Sequence, residues 1–165
     1  MTVRIEKEGR VWTVIHSRPE ARNGMDPVSA QELCDAFLEF EKDAEAYVAV
    51  FWGEGGAFCA GWDLKYAASL ADPKKFQKEI IEDLAFPPGA NPSPRGPMGP
   101  SRLELSKPVI GAIEGPAVAG GMELALWCDT VSYTHLRAHE TLRYRVCGRG
   151  LEKKTGGGGG GGGGG

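Results

Sequence analysis

Two short apolar runs, YVAVFW (47–52) and KPVIGAIEG (107–115), constrain the fold more than any other feature of the chain. Strands buried on both faces read as continuous apolar stretches, whereas strands with one wet face alternate. Each run leads into a glycine-rich turn and then a helical pattern. Strand, turn, helix, strand is the order that builds a parallel sheet through right-handed crossovers, so the expected class is α/β.

The flanking elements agree with that class. VRIEKEGRVWTVIHS alternates in polarity around Glu8-Gly9, which predicts an opening hairpin with Val11, Thr13 and Ile15 on one face. Asp26 followed by Pro27 is a cap and first-turn pair. Leu33, Phe37 and Phe40 then recur at helical spacing, predicting an amphipathic helix over 27–42. Residues 63–84 read as helical, with Asp72-Pro73 restarting the helix. The stretch FPPGANPSPRGPMGPS (86–101) lacks apolar periodicity and is expected to be a stiff surface excursion, either a substrate lid or a tolerated insertion.

Composition narrows the function classes. Of the formal charge of -3, residues 131–165 contribute six Lys/Arg against two Glu, which leaves about -7 on residues 1–130. An acidic body without basic clusters argues against nucleic-acid binding. No signal-peptide core and no membrane-length apolar run is present, so a cytoplasmic protein without membrane attachment is expected. Cys34, Cys59, Cys128 and Cys147 form no CxxC pair, and His16 is the only histidine before the tail. Those residues supply no metal site, and buried free thiols are the expected state.

GEGGAFCAGWDLK (53–65) and GPAVAGGMELALWCD (115–129) each join a strand to a helix through glycines. Such turns can present main-chain N–H groups into a cleft, and a helix start favours a negative oxygen. Either turn alone serves geometry as well as chemistry. As a pair they could offer one N–H each to a single oxyanion, and one such donor is worth about 2.7–4 kcal/mol in a transition state.

AFCAGWDLK and KPVIGAIEGPAVAGGMELALWCD, together with SRPEARNGMD, resemble the signature segments of the enoyl-CoA hydratase/isomerase (crotonase) superfamily over residues 3–129. The resemblance implies an N-terminal portion of the crotonase spiral of ββα units and an acyl-CoA thioester substrate, with no separate cofactor because coenzyme A belongs to the substrate. It implies that the N–H groups of Trp62 and Gly120 form the oxyanion hole. Ala60, Asp63, Leu64 and Lys65 would line the acyl and pantetheine path with Trp62. Family members commonly carry a small residue at position 62, so Trp62 keeps the donor but narrows the acyl pocket. Ala21 and Arg22 fall in the turn that approaches the CoA nucleotide, and a guanidinium suits phosphate. A solvated loop cation is the alternative for Arg22.

Glu123 lies one helical turn beyond Gly120. In hydratases of the family the matching carboxylate is one of two that orient a water and move its proton during syn addition to the 2,3-double bond. Burial would raise its pKa and suit it to acid/base work. Stabilising the helix N-terminus is the competing role. The same oxyanion hole also serves isomerases, CoA-ester hydrolases and other lyases, and a non-catalytic acyl-CoA-binding paralogue is a further alternative.

The family's hydratases are longer, with the second carboxylate further along; here the nearby downstream acids are Asp129 and Glu140. VSYTHLRAHE (131–140) matches nothing in the family and resembles a translated sequencing adapter, GTC TCT TAT ACA CAT CTC CGA GCC CAC GAG. Ten terminal glycines (156–165) resemble signal-less base calls. The expected organisation is a truncated crotonase domain over 1–129 and an artefactual, disordered tail over 130–165. A chain cut there is expected to be inactive and to leave apolar faces uncovered, while the full-length protein is expected to be a homotrimer or a dimer of trimers.

Overall fold

Alternating polarity around Gly9 produces the hairpin: β1 (Val3–Glu8) and β2 (Val11–His16) pair antiparallel, from Val3 opposite His16 to Glu8 opposite Val11. The computed structural model describes residues 1–70, 72–78, 85 and 95–134. β3 (Val48–Gly53), β4 (Val109–Glu114) and β5 (Thr130–Thr134) follow in parallel, giving one sheet in the order β1-β2-β3-β4-β5.

Helix α1 (Pro27–Lys42) starts where expected, and Asp26 accepts from Ser29 N at 2.7 Å. Capping of this kind satisfies one of the orphan donors of the first turn. The buried stripe of α1, Leu33, Phe37 and Phe40, lies on the sheet with Trp12, Phe51 and Phe58. Phe37 sits edge-on to Phe51 at 5.4 Å and to Trp127 at 4.9 Å, and Phe51 is edge-on to Phe58 at 5.0 Å. Each such contact adds about 0.5–1.5 kcal/mol to the burial itself. This aromatic chain joins α1, β3, the loop after β3 and the helix after β4, so the core directly supports both glycine-rich turns.

The helical reading of 63–84 resolves into α2 (Leu64–Ser69) and α3 (Pro73–Phe76), capped by Asp63 and Asp72. The part of that reading over 79–84 lies outside the described residues, as does 86–94 of the proline-rich stretch. The described end of that stretch corrects the expected surface excursion. Gly96, Met98, Gly99 and Pro100 are buried, and a 3-10 turn spans Pro100–Arg102. Met98 is 3 % exposed and joins the core. Periodicity could not reveal this, because a single apolar side chain between Gly-Pro pairs has no repeat to detect.

The second glycine turn leads into α4 (Gly120–Trp127), and β5 follows. Thr130–Thr134 is a strand, whereas disorder was expected from residue 130; residues 135–165 lie outside the described part. The physical reason is the open edge of β4, whose backbone groups pair with any extended segment that reaches them. Thr130, Val131 and Tyr133 suit a pleated strand. Asp129 anchors the pairing, its N–H donating to Val109 O at 3.0 Å and its carboxylate accepting from Val109 N at 2.8 Å. No helix among the described residues is long and apolar enough to cross a membrane.

Candidate active site

The two glycine-rich loops are fastened to each other by their backbones. Phe58 N and Cys59 N both donate to Pro116 O, at 3.0 and 3.2 Å, and Val118 N donates to Cys59 O at 3.1 Å. Gly61 then passes against the start of α4. Its φ of +87° belongs to the region glycine enters freely, and a Cβ there would lie 3.2 Å from Gly120 N. Gly121 is equally constrained, since a Cβ on it would meet Cys59 O at 2.1 Å.

Gly120 and Trp62 are among the loop residues whose N–H groups have no acceptor among the described residues. Gly121 N donates to Val118 O at 2.8 Å, while Met122 N and Glu123 N donate to Ala119 O at 3.0 and 3.4 Å. Of the four first-turn donors of α4, only Gly120 N–H is without an acceptor among the described residues. Ala119, at φ 48° and ψ -123°, occupies the first central position of a type II′ turn closed by the Gly121–Val118 bond. Holding a residue with a Cβ there costs about 1–3 kcal/mol and shapes the approach to Gly120.

On the other loop, Met25 N donates to Gly61 O at 2.7 Å and Asp63 N donates to Met25 O at 2.8 Å. Those bonds bracket Trp62, whose own peptide N–H has no acceptor among the described residues. Its ring packs partly buried on the core, with the indole N–H also unpartnered among the described residues. The bonds between the loops thus set Gly61, the residue before Trp62, against Gly120 at the start of α4.

Glu123 departs from expectation in one respect. It lies on the first turn of α4, but it is exposed rather than buried, beside the exposed Met122 and one turn before Leu126, 79 % exposed. No neighbouring element among the described residues covers this face, so the burial expected of Glu123 is missing. Of the two downstream acids, Asp129 is engaged with the β4 backbone, and Glu140 lies outside the described residues.

The remaining expected site residues divide in two. Arg22, Leu64 and Lys65 are exposed, and Ala21 and Ala60 are half-buried. Ala60 N donates to Arg22 O at 3.0 Å, which holds the Arg22 turn against the first loop. Asp63 was expected on the acyl path, but its carboxylate faces the protein. Oδ1 accepts from Lys65 N and Tyr66 N at 2.9 and 3.1 Å, and Oδ2 accepts from Arg18 at 3.0 Å. Burial pushes the Asp63 carboxyl up, but the Tyr66, Arg18 and Lys65 hydrogen bonds outweigh it and hold it below the ordinary carboxylate value. An aspartate that caps a helix and meets a guanidinium is committed to those protein partners.

Three residues of the site escaped the sequence reading. Asn23 is fully buried at φ 55°, donating to Glu54 O and Ala57 O at 2.8 and 2.7 Å while accepting from Arg18 N at 2.7 Å. Its Asn-Gly dipeptide was the available signal, since Asn tolerates the left-handed region. Arg18 carried no signal beyond standing before Pro19. Met98 lies on Gly120, where a Cβ would sit 2.5 Å from its sulfur.

Burial pushes the Cys59 thiol up to about 11 and the Cys128 thiol up to about 12, the behaviour of inert packing residues rather than nucleophiles. Cys34 is also free and buried, and Cys147 lies outside the described residues. Among the described residues no cluster of three His, Cys, Asp or Glu side chains could hold a metal ion.

Comparison with known proteins agrees with this geometry. The enoyl-CoA hydratase/isomerase family matches residues 6–85. A carnitinyl-CoA dehydratase of Proteus mirabilis (strain HI4320) is 37 % identical over 132 residues, covering 79 % of this chain and 44 % of that protein. An enoyl-CoA hydratase of Mycobacterium tuberculosis is 35 % identical over 132 residues, covering 76 % of this chain and 43 % of the relative. The crystal structure of a probable enoyl-CoA hydratase/isomerase from Mycobacterium abscessus superposes with a TM-score of 0.64 at 36 % identity, over 80 % of this chain and 45 % of that one. The chain thus spans less than half the length of these relatives. Its paired loops, parallel sheet and sequence place it with them: the N-terminal portion of this chain belongs to the enoyl-CoA hydratase/isomerase (crotonase) family.

Proposed function

We propose that this chain is the N-terminal part of an acyl-CoA enzyme that adds water syn across the 2,3-double bond of a 2-trans-enoyl-CoA. The observation that carries the reading is that the N–H groups of Trp62 and Gly120 lack acceptors among the described residues and stand on two loops bonded to each other. In the proposed reaction both donate to the thioester oxygen. The negative charge that develops there as water oxygen bonds to C3 is stabilised by preorganised dipoles. Glu123, one turn along α4, takes part in moving the water proton, with C2 receiving a proton as the enolate collapses. In the proposed reaction a second carboxylate and a cover over Glu123 come from parts of the protein outside the described residues.

Dehydration of a 3-hydroxyacyl-CoA runs through the same atoms in reverse. The dehydratase named among the relatives therefore fits the same machinery. Assembly as a homotrimer or dimer of trimers belongs to the proposal and is read from the solution mass of the full-length protein. The function itself is tested in that protein by following loss of the enoyl absorbance of crotonyl-CoA. Glu123→Gln is expected to nearly abolish turnover while CoA-ester binding persists, and unchanged turnover overturns the assignment.

A further inference from the structure

Two helix caps at this site share one cation. Asp26 accepts from Ser29 N through Oδ1 at 2.7 Å and meets Arg18 Nη2 through Oδ2 at 3.1 Å. Asp63 repeats the arrangement: Oδ1 caps α2, and Oδ2 accepts from the same Arg18 Nη2 at 3.0 Å. The other terminal nitrogen, Nη1, donates to Gly24 O, and Arg18 N donates to the buried Asn23 side chain. The three charged side chains are only 11–16 % exposed, so water screens these contacts weakly. A planar fork spreads its donors over separate atoms in fixed directions, whereas an ammonium gathers its three on one atom.

The caps so joined flank the reacting end of the first loop. Asp63 directly follows Trp62, and Asp26 directly follows Met25, the residue whose backbone brackets Trp62. We infer that Arg18 is a positioning residue: by tying the cap of α1 to the cap of α2, it fixes where the Trp62 N–H stands relative to Gly120. The oxyanion role of Trp62 rests on the proposed function, whereas the tie itself does not.

The test uses Arg18→Met and Arg18→Lys in the whole chain, with two readouts. Hydrogen exchange at the Met25 and Asp63 amides reports the bracket, and the sheet amides of β2 and β3 report global stability. Arg18→Met is expected to speed exchange at Met25 and Asp63 by about tenfold or more beyond any change in the sheet, the scale of losing a charged hydrogen bond. Arg18→Lys should recover only part of that protection, and it carries the test if the Met variant does not fold. The second readout is the red shift in absorbance of a bound conjugated arylacryloyl-CoA, which polarisation of its carbonyl produces. Arg18→Met is expected to shrink that shift while the probe stays bound. Equal acceleration at all amides, or none at Met25 and Asp63, overturns the inference and leaves Arg18 an ordinary stabilising cation. A bound probe with no red shift in the unsubstituted chain defeats the oxyanion reading instead, and the exchange measurement still decides the role of Arg18.

Discussion

A side-chain carbon placed on Gly61 would lie 3.2 Å from the amide nitrogen of Gly120, with Val118 O at 3.1 Å and the Ala119 methyl at 3.0 Å. Position 61 thus sets the separation of the two loops. Gly61→Ala is expected to destabilise the chain by about 2 kcal/mol, through its left-handed φ and the crowded contacts. It should also weaken polarisation of a bound enoyl thioester. Urea denaturation measures the first effect and probe absorbance the second; a variant with unchanged stability and spectrum refutes the role given to Gly61.

Gly121 makes the closer approach, on the other side of the same junction. A Cβ there overlaps Cys59 O at 2.1 Å, and that oxygen belongs to backbone that cannot rotate away. Gly121→Ala is expected to cost about 3 kcal/mol by pushing the start of α4 off the first loop. The midpoint of thermal unfolding should fall accordingly, and a shift of less than a degree counts against the packing described.

Asn23 satisfies two carbonyls and one N–H in a site from which water is excluded. Asn23→Ala leaves all three unpaired and is expected to cost about 3 kcal/mol. Asn23→Asp should be no better, because a carboxylate cannot donate to Glu54 O or Ala57 O. Denaturant midpoints of the two variants check this, and recovery of wild-type stability by Asp is the contrary result.

His16 is fully buried at the end of β2, with both ring nitrogens lacking partners among the described residues. Burial, aided by Arg18 and opposed by Asp26 and Glu32, lowers its pKa from 6.5 to about 4. Between those values the unfolded chain binds more protons than the folded one. The stability tied to a neutral His16 is therefore complete above pH 6.5 and falls as the pH drops toward 4, by about 3 kcal/mol in all. Denaturation of His16→Leu at pH 7 and pH 4.5 should show a smaller loss on acidification than the parent; equal losses mean that other groups carry the acid sensitivity.

What the sequence by itself determined is what local chemistry encodes. Asp26-Pro27 started α1 where a cap and a first-turn proline must, and the uninterrupted runs at 47–52 and 107–115 became parallel strands, each with one buried face and a second that is mostly half-buried. The family motifs marked out the two glycine-rich loops that the structure joins through their backbones. Tertiary structure decided the rest, since it depends on which distant atoms meet. Asp63 left the acyl path because Arg18, 45 residues earlier, supplies a better partner than a ligand. Met98 left the surface because it packs into the core against Gly120, a contact that no periodicity announces. Glu123 stayed exposed because burial is conferred by neighbouring elements, and a helical position one turn beyond Gly120 specifies the direction of a carboxylate without specifying what covers it.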